Sequence, residues 1–294
     1  MTAQQIAQNL FDLDKSCRDE LHRNVISDEN DYTSTFCAVL RHGNYGPGMG
    51  QKLSRVYENK FGCDAMLVFR GANQVKVGVW EAKYPRLTQK TNNNYKYSWD
   101  YASVDRSKIP HQAISHFTHQ LQRQAKAHAL GFAAWEMFYN EHAVGTTYRN
   151  FDPQGSSCVW WQDAISYQQN QFSQTSLWNS DELNNMLSGS GTNLFHIVFD
   201  LLTCKQGEPF ALSRDSQKLA VRPSSGRLDE AMSRVSGEDR EVFMTELEKE
   251  LILPIPTRRF DAEASKEMNK FIHEQGIHRY TYIDLGPEFK FEEA

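Results

Sequence analysis

The chain of 294 residues is 39% hydrophobic and 12% aromatic, enough to bury the core of one large α/β domain or two small ones. A net charge of −5 excludes a protein that is basic throughout, as one that grips nucleic acid through phosphates alone usually is. No apolar run approaches the ~20 residues of a membrane-spanning helix, and five scattered cysteines without a C-x-x-C pair exclude a disulfide framework and a thiolate zinc site.

The opening "MTAQQIAQNLFDLDKSC" lacks the basic start and apolar stretch of a secretory signal, so a cytoplasmic, reducing environment is expected and no membrane partner. Ile6, Leu10, Leu13, Cys17 and Leu21 recur at helical spacing and predict a helix over 2–24. A second helix follows the capping residues of "SDEND" through "YTSTFCAVLRH". "GNYGPGMG" then breaks the chain, and "QKLSRVYENKFG" reads as a short third helix ended by Gly62. "DAMLVF" and "VKVGVWEAK" read as a β-hairpin around "GANQ". The polar and aromatic segment after Tyr84 predicts a long loop or flap, and a helix is expected from about 109 to 130. Further strands are predicted at "FAAWEMFYN", "SCVWWQDA" and "NLFHIVFDLLTC". Residues 166–193, rich in Gln, Asn and Ser, look like an insertion with little core. A charged amphipathic helix over 228–250 and a last strand at "GIHRYTYIDLG" complete the expectation of one mixed sheet with helices on its faces.

Charge is uneven along the chain. From Lys83 to Lys108 six basic residues face two acidic ones, whereas from Arg227 to Glu250 eight acidic residues face four basic ones. A local basic patch is therefore compatible with overall acidity.

The hairpin carries the sharpest signal. Its row of valines, Val75, Val77 and Val79, continues into Glu81 and Lys83 on the same face. With a four-residue loop Arg70 pairs with Val75, Val68 with Val77 and Met66 with Val79, which sets Asp64 opposite Glu81. Cross-strand neighbours lie about 5 Å apart at Cβ, so two carboxylates and an ammonium converge. Repulsion between the carboxylates makes a divalent cation the economical explanation, and oxygen ligands favour Mg²⁺ or Mn²⁺ over zinc. The plain alternative is a cross-strand ion pair worth under ~1 kcal/mol.

Asp64 at the start of one strand and Glu81-Ala82-Lys83 on the next resemble the PD-(D/E)XK nuclease superfamily. The resemblance spans roughly 28–140, somewhat under half the chain. It implies a restriction endonuclease-like mixed central sheet, a metal-binding Glu29 on the preceding helix (Asp31 as runner-up), and Gln120 on the helix after the ExK strand. Gln124 lies one turn further on that face. Cys63 stands where the motif has proline. The implied reaction is metal-dependent phosphodiester hydrolysis, with Asp64, Glu81 and Glu29 holding Mg²⁺ or Mn²⁺, and Lys83 and Gln120 serving the chemistry. The implied partner is nucleic acid, DNA ahead of RNA.

The remaining candidates are weaker in kind. In the flap, aromatic residues interleave with basic ones, a composition that suits stacked bases; Lys90, Lys96 and Trp99, with Gln124, are the substrate-binding candidates. Packing of those aromatics on the sheet is the equal alternative. His111, His116 and His119 lack H-E-x-x-H spacing, and the glycine-rich loop lacks the phosphate-loop lysine. The expected architecture is a single α/β domain over 1–294 with a C-terminal extension from about 194, whose role as a specificity surface or homodimer interface composition does not decide. The rival function is a non-catalytic descendant of the nuclease fold that binds nucleic acid or a protein partner.

Overall fold

The computed structural model describes residues 1–42 except 24 and 27, 61–84, 86–90, 94–105, 112–139, 155–171, 177–212, 218–234, 251–254 and 279–291, with isolated positions between 244 and 270. The expected third helix, but for its last two residues, and the glycine-rich loop before it lie outside the described residues, as does much of the helix expected over 228–250.

Seven helices and thirteen strands are described: α1 (Ala3–His22), α2 (Glu29–His42), β1 (Ala65–Arg70), β2 (Gln74–Lys83), β3 (Arg86–Lys90), β4 (Asn94–Ser98), β5 (Ala102–Asp105), β6 (Gln112–Ser115), α3 (His116–Ala129), β7 (Ala133–Phe138), β8 (Ser157–Trp160), α4 (Trp161–Gln171), α5 (Ser180–Ser190), β9 (Thr192–Asn193), α6 (Leu194–Leu202), β10 (Phe210–Ala211), β11 (Lys218–Val221), α7 (Ser225–Arg234), β12 (Leu251–Pro254) and β13 (Arg279–Asp284). The main sheet is mixed and seven-stranded, in the order β13-β1-β2-β7-β8-β9, with β10 pairing the start of β2. β13 runs parallel to β1 and β7 parallel to β2, while β1–β2 and β7–β8 are antiparallel.

Alternation along the strands divides the core into two layers. Met66, Val68, Val75, Val77, Val79 and Ala134 face one side and pack against α3, α4 and α5. Leu67, Phe69, Trp80, Ala82 and Trp135 face the other and pack against α1, α2 and α6. Trp80 and Trp135 are register partners and stack with centroids 5.4 Å apart. Gly78 makes room for them: a Cβ there would stand 2.7 Å from the Trp135 ring and 2.8 Å from Leu201.

The hairpin register is the expected one, with Arg70 opposite Val75, Val68 opposite Val77 and Met66 opposite Val79. α1 begins at a capping box between Thr2 and Gln5. α2 starts inside "SDEND" rather than after it, because the Asp28 carboxylate accepts the Asp31 N–H (2.9 Å) and puts Glu29 in the first turn.

Several expectations are corrected. The flap is not a plain loop: β3 and β4 form one hairpin and β5 pairs with β6, as the β-favouring Thr88, Tyr95, Tyr97 and Val104 allow. Residues 112–115 are consequently strand, and the helix expected from 109 starts at His116, capped by Ser115. "SCVWWQDA" leaves the sheet at Trp160 and turns into α4. "NLFHIVFDLLTC" is helical, since Leu194, Ile197, Val198, Leu201 and Leu202 form one buried face and Asn193 accepts the His196 N–H (3.2 Å); a short apolar run does not by itself distinguish strand from helix. The polar segment 166–193 adds Trp178, Leu183, Met186 and Leu187 to the core, and Gln168 is buried as well.

Asp100 ties these parts together. Its buried carboxylate accepts from Ser115 Oγ (2.7 Å), the Phe117 N–H (3.0 Å) and the Trp178 N–H (3.0 Å), so one side chain fixes the start of α3 against the segment before α5. Asp100→Ala strands these buried donors and is expected to lower the free energy of unfolding by about 3 kcal/mol, seen in urea titration as a lower midpoint at unchanged slope.

Candidate functional site

At the end of β2 the valine row of the α3-facing layer gives way to charge. Glu81 is 2% exposed, and its Oε1 accepts from both Lys83 Nζ and Gln120 Nε2. Lys83 follows two residues on along the same face, and Gln120 descends from the first turns of α3. Asp64 precedes β1. Its N–H donates to the Trp80 carbonyl (2.8 Å), one position out of the hairpin register, and its Oδ2 accepts the Ala82 N–H (2.8 Å). Asp64 is therefore pinned beside Glu81 rather than squarely opposite it. Glu29 reaches over from α2 on the other side of the sheet, where its Oε2 accepts the Tyr84 N–H (3.3 Å).

A fourth carboxylate belongs to this cluster and went unread in the sequence. Glu136 of β7 is the register partner of Glu81 and fully buried. Its signal was a single charged residue inside the apolar run "AAWEMF", at the alternation that faces α3. Beside it lies Gln124, whose Nε2 donates to the Gly62 carbonyl (2.9 Å).

Electrostatics follow from four carboxylates sharing one ammonium. Burial, with Asp64, pushes Glu81 well above the usual carboxylate range, and Lys83 pulls against it. Burial raises Glu29 as well, with Lys83 opposing and Asp64 adding to the rise. Glu136 is pushed up to about 8 by burial, against the pull of Lys83 and the adjacent Gln124 amide. Burial acts to lower Lys83, but Glu81, Glu29 and Asp64 outweigh it and hold the ammonium protonated. Cys63, where the motif has proline, is buried here too, and its thiol is driven far up by burial and then by Glu81, Glu136 and Asp64; it is an inert filler rather than a nucleophile.

Of the expected site residues, Asp64, Glu81, Lys83, Gln120 and Glu29 come together. Gln124 lies inside the protein against Glu136, not on a substrate-facing surface. Trp99 is half-buried in an aromatic cluster with Phe117 (4.9 Å), Phe138 (5.5 Å) and Trp178 (6.1 Å), which favours packing over base stacking for this residue. Lys90 and Lys96 sit in β3 and β4, with side chains outside the described ones. A groove between the start of α1, α6 and residues 285–290 lies apart, beyond the opposite end of β1.

Oxygen donors of this kind suit Mg²⁺ or Mn²⁺, and the cluster holds buried oxygens without a donor, the amide oxygens of Gln120 and Gln124. By donor chemistry the residues fit a hard divalent cation. As they stand, no three His, Cys, Asp or Glu side chains among the described residues are set as ligands around one point, and Glu81 is engaged by Lys83 and Gln120. Among the described residues no helix is long and apolar enough to cross a membrane. No family model matches the chain, and no curated protein or solved structure is significantly similar to it.

Glu136 gives the site a measurable pH signature. Its folded pKa, near 8, lies above the ordinary 4.5, so the folded state holds the extra proton between those values. The stabilisation is complete below the ordinary value and lost as pH rises through about 8. Without divalent ions, stability is expected to fall from pH 5 to 8 by as much as about 1.4 kcal/mol per pH unit, and Glu136→Gln to flatten that slope in urea titrations across the range.

Proposed function

We propose that the protein is a divalent-metal-dependent nuclease of the PD-(D/E)XK type, hydrolysing phosphodiester bonds of nucleic acid, DNA ahead of RNA. The observation that carries this reading is the convergence of Asp64, Glu81 and Lys83 from one hairpin with Glu29 from α2 and Gln120 from α3. The order of elements supports it: a helix, a hairpin bearing the acidic motif, then a helix leading into a strand parallel to the ExK strand. A surface ion pair needs none of this, since one carboxylate would satisfy Lys83.

Asp64, Glu81 and Glu29 would hold Mg²⁺ or Mn²⁺, which when bound supplies Lewis-acid stabilisation of the charge building on a phosphate oxygen. Lys83 keeps its proton at Nζ and offsets that charge from the side of Glu81. Gln120 fixes the Glu81 carboxylate through Nε2, and the Ala82 N–H fixes Asp64. Burial removes competing water and so strengthens each of these interactions.

The second reading, a non-catalytic module binding nucleic acid or a protein, is favoured by one observation: Glu81 is already occupied by Lys83 and Gln120. Cleavage assays on labelled single- and double-stranded DNA and RNA separate the two. Cutting is expected with Mg²⁺ or Mn²⁺, absent in EDTA, and reduced about 10²- to 10³-fold or more in Lys83→Ala and Glu81→Ala. Binding of a polymer without cutting would leave the second reading standing.

A further inference from the structure

Two residues beyond the half-buried Trp99, the chain sets an aromatic ring in solvent. Tyr101 is 57% exposed, although it stacks on His116 with ring centroids 4.4 Å apart and planes 18° from parallel. The pair continues the β5–β6 register, in which Ala102 faces Ser115, and the His116 N–H donates to the Tyr101 carbonyl (2.9 Å). Neighbours on both strands hold it in place. Asp100, next to Tyr101, accepts from Ser115 Oγ and the Phe117 N–H, the residues on either side of His116, and Trp99 packs edge-on against Phe117. The ring is thus ordered by folding, which spares that cost when a ligand binds to it.

Its place in the fold sets what it meets. Only residues 130–132 separate α3 from β7, so the helix runs antiparallel to β7 and begins at the end of the sheet where β2 carries Glu81 and Lys83. Trp99 marks the same end, since its ring is 5.5 Å from Phe138, the register partner of Lys83. His116 stands one helical turn before Gln120, about 6 Å along α3, and Gln120 touches Glu81. The stacked pair therefore lies next to the acidic cluster, towards the carboxyl ends of β2 and β7, where open α/β sheets bind their ligands.

A preordered aromatic face at that position is complementary to a nucleobase, because every base has a π-face. In a duplex those faces are covered by neighbouring bases, so a platform of this kind takes a base from an unpaired strand. We propose that Tyr101, backed by His116, is the stacking platform for a nucleobase of a single-stranded substrate whose phosphate lies at the Asp64–Glu81 cluster. The platform rests on the nuclease reading, which supplies the polymer, and deepens it by selecting the unpaired strand. The surrounding stretch, Lys83 to Lys108, has six basic residues against two acidic ones, in keeping with a polyanion passing along it.

The test is binding to the full chain, in EDTA and again in Ca²⁺, of three fluorescein-labelled probes: a single-stranded oligodeoxynucleotide, its duplex, and an abasic strand of equal length. Wild type is expected to bind the single strand about tenfold or more tighter than the abasic strand. Tyr101→Ala is expected to lose that preference and to bind duplex as wild type does, and Tyr101→Phe, which keeps the ring, to retain it. Wild-type preference in Tyr101→Ala overturns the proposal. So does an equal loss on all three probes, which marks a backbone contact, or a loss in Tyr101→Phe as large as in Tyr101→Ala. If Tyr101→Ala melts lower than wild type, Tyr101→Leu keeps the bulk without the π-face, and wild-type preference in it overturns the proposal equally. Cutting, read with Lys83→Ala and Glu81→Ala, separates the two levels. Metal-dependent cutting lost in both, with wild-type strand binding in Tyr101→Ala, sustains the nuclease and removes the platform. Strand binding that needs Tyr101 without any cutting removes the nuclease and leaves the platform. A wild-type chain that binds none of the probes in either condition overturns the platform.

Discussion

One protonated lysine among four carboxylates is the constraint around which the site is built. Lys83 satisfies Glu81 directly and lowers the cost of ionising Glu29 and Glu136 from a distance. A single ammonium does not neutralise four acids in a medium of low dielectric, so protons or cations must supply the rest. Replacing the whole group with apolar residues of like volume would relieve the desolvation cost, as buried ion pairs in general show. The cluster therefore works against stability, in keeping with the metal-binding role proposed for it.

The fold meets this cost by keeping its two layers separate. β2 is buried along almost its entire length, and alternation sends Trp80 and Ala82 into the layer of α1, α2 and α6 while Glu81 and Lys83 enter the layer of α3. The stacked pair of Trp80 and Trp135 clamps β2 to β7 from behind. That clamp holds Glu81 level with Glu136 on the front. Removal of apolar packing on one face would thus reach the acidic residues on the other through strand register, without touching them.

Much of this was legible in the sequence, and the parts that were not share a cause. The hairpin register could be read because period-two alternation and a short loop leave little choice, and it led from Arg70 and Val75 down to Asp64 and Glu81. Gln120 could be named because the resemblance implies a glutamine on the helix after the ExK strand, and a helix over that stretch was legible; its place near the helix start follows only from α3 beginning at His116. Glu136 escaped notice because its partnership with Glu81 is made by a parallel crossover of some fifty residues, and no local pattern encodes which residue of a distant strand stands alongside. The helix α6 was misread because its apolar residues form a run too short and too uniform to reveal a period, and only the cap at Asn193 betrays it. Trp99 stayed between two readings because aromatic residues among lysines look alike whether they meet bases or a core. Phe117, Phe138 and Trp178, which surround it, come from three distant stretches.

Strand β13 has a consequence for how the protein is made. It lies parallel to β1 at the far side of the sheet, with Ala65 beside Arg279 and Arg70 beside Asp284, so the outer flank of the strand that follows Asp64 is covered by residues more than two hundred positions later. During synthesis the hairpin can close as soon as Lys83 has emerged, but β1 then keeps a bare row of backbone donors and acceptors until β13 follows, some two hundred residues later. A nascent chain of this protein therefore carries an adhesive, unfinished sheet edge through all of that interval, whereas the acidic residues of β2 gain α3 and β7 as support well before it closes.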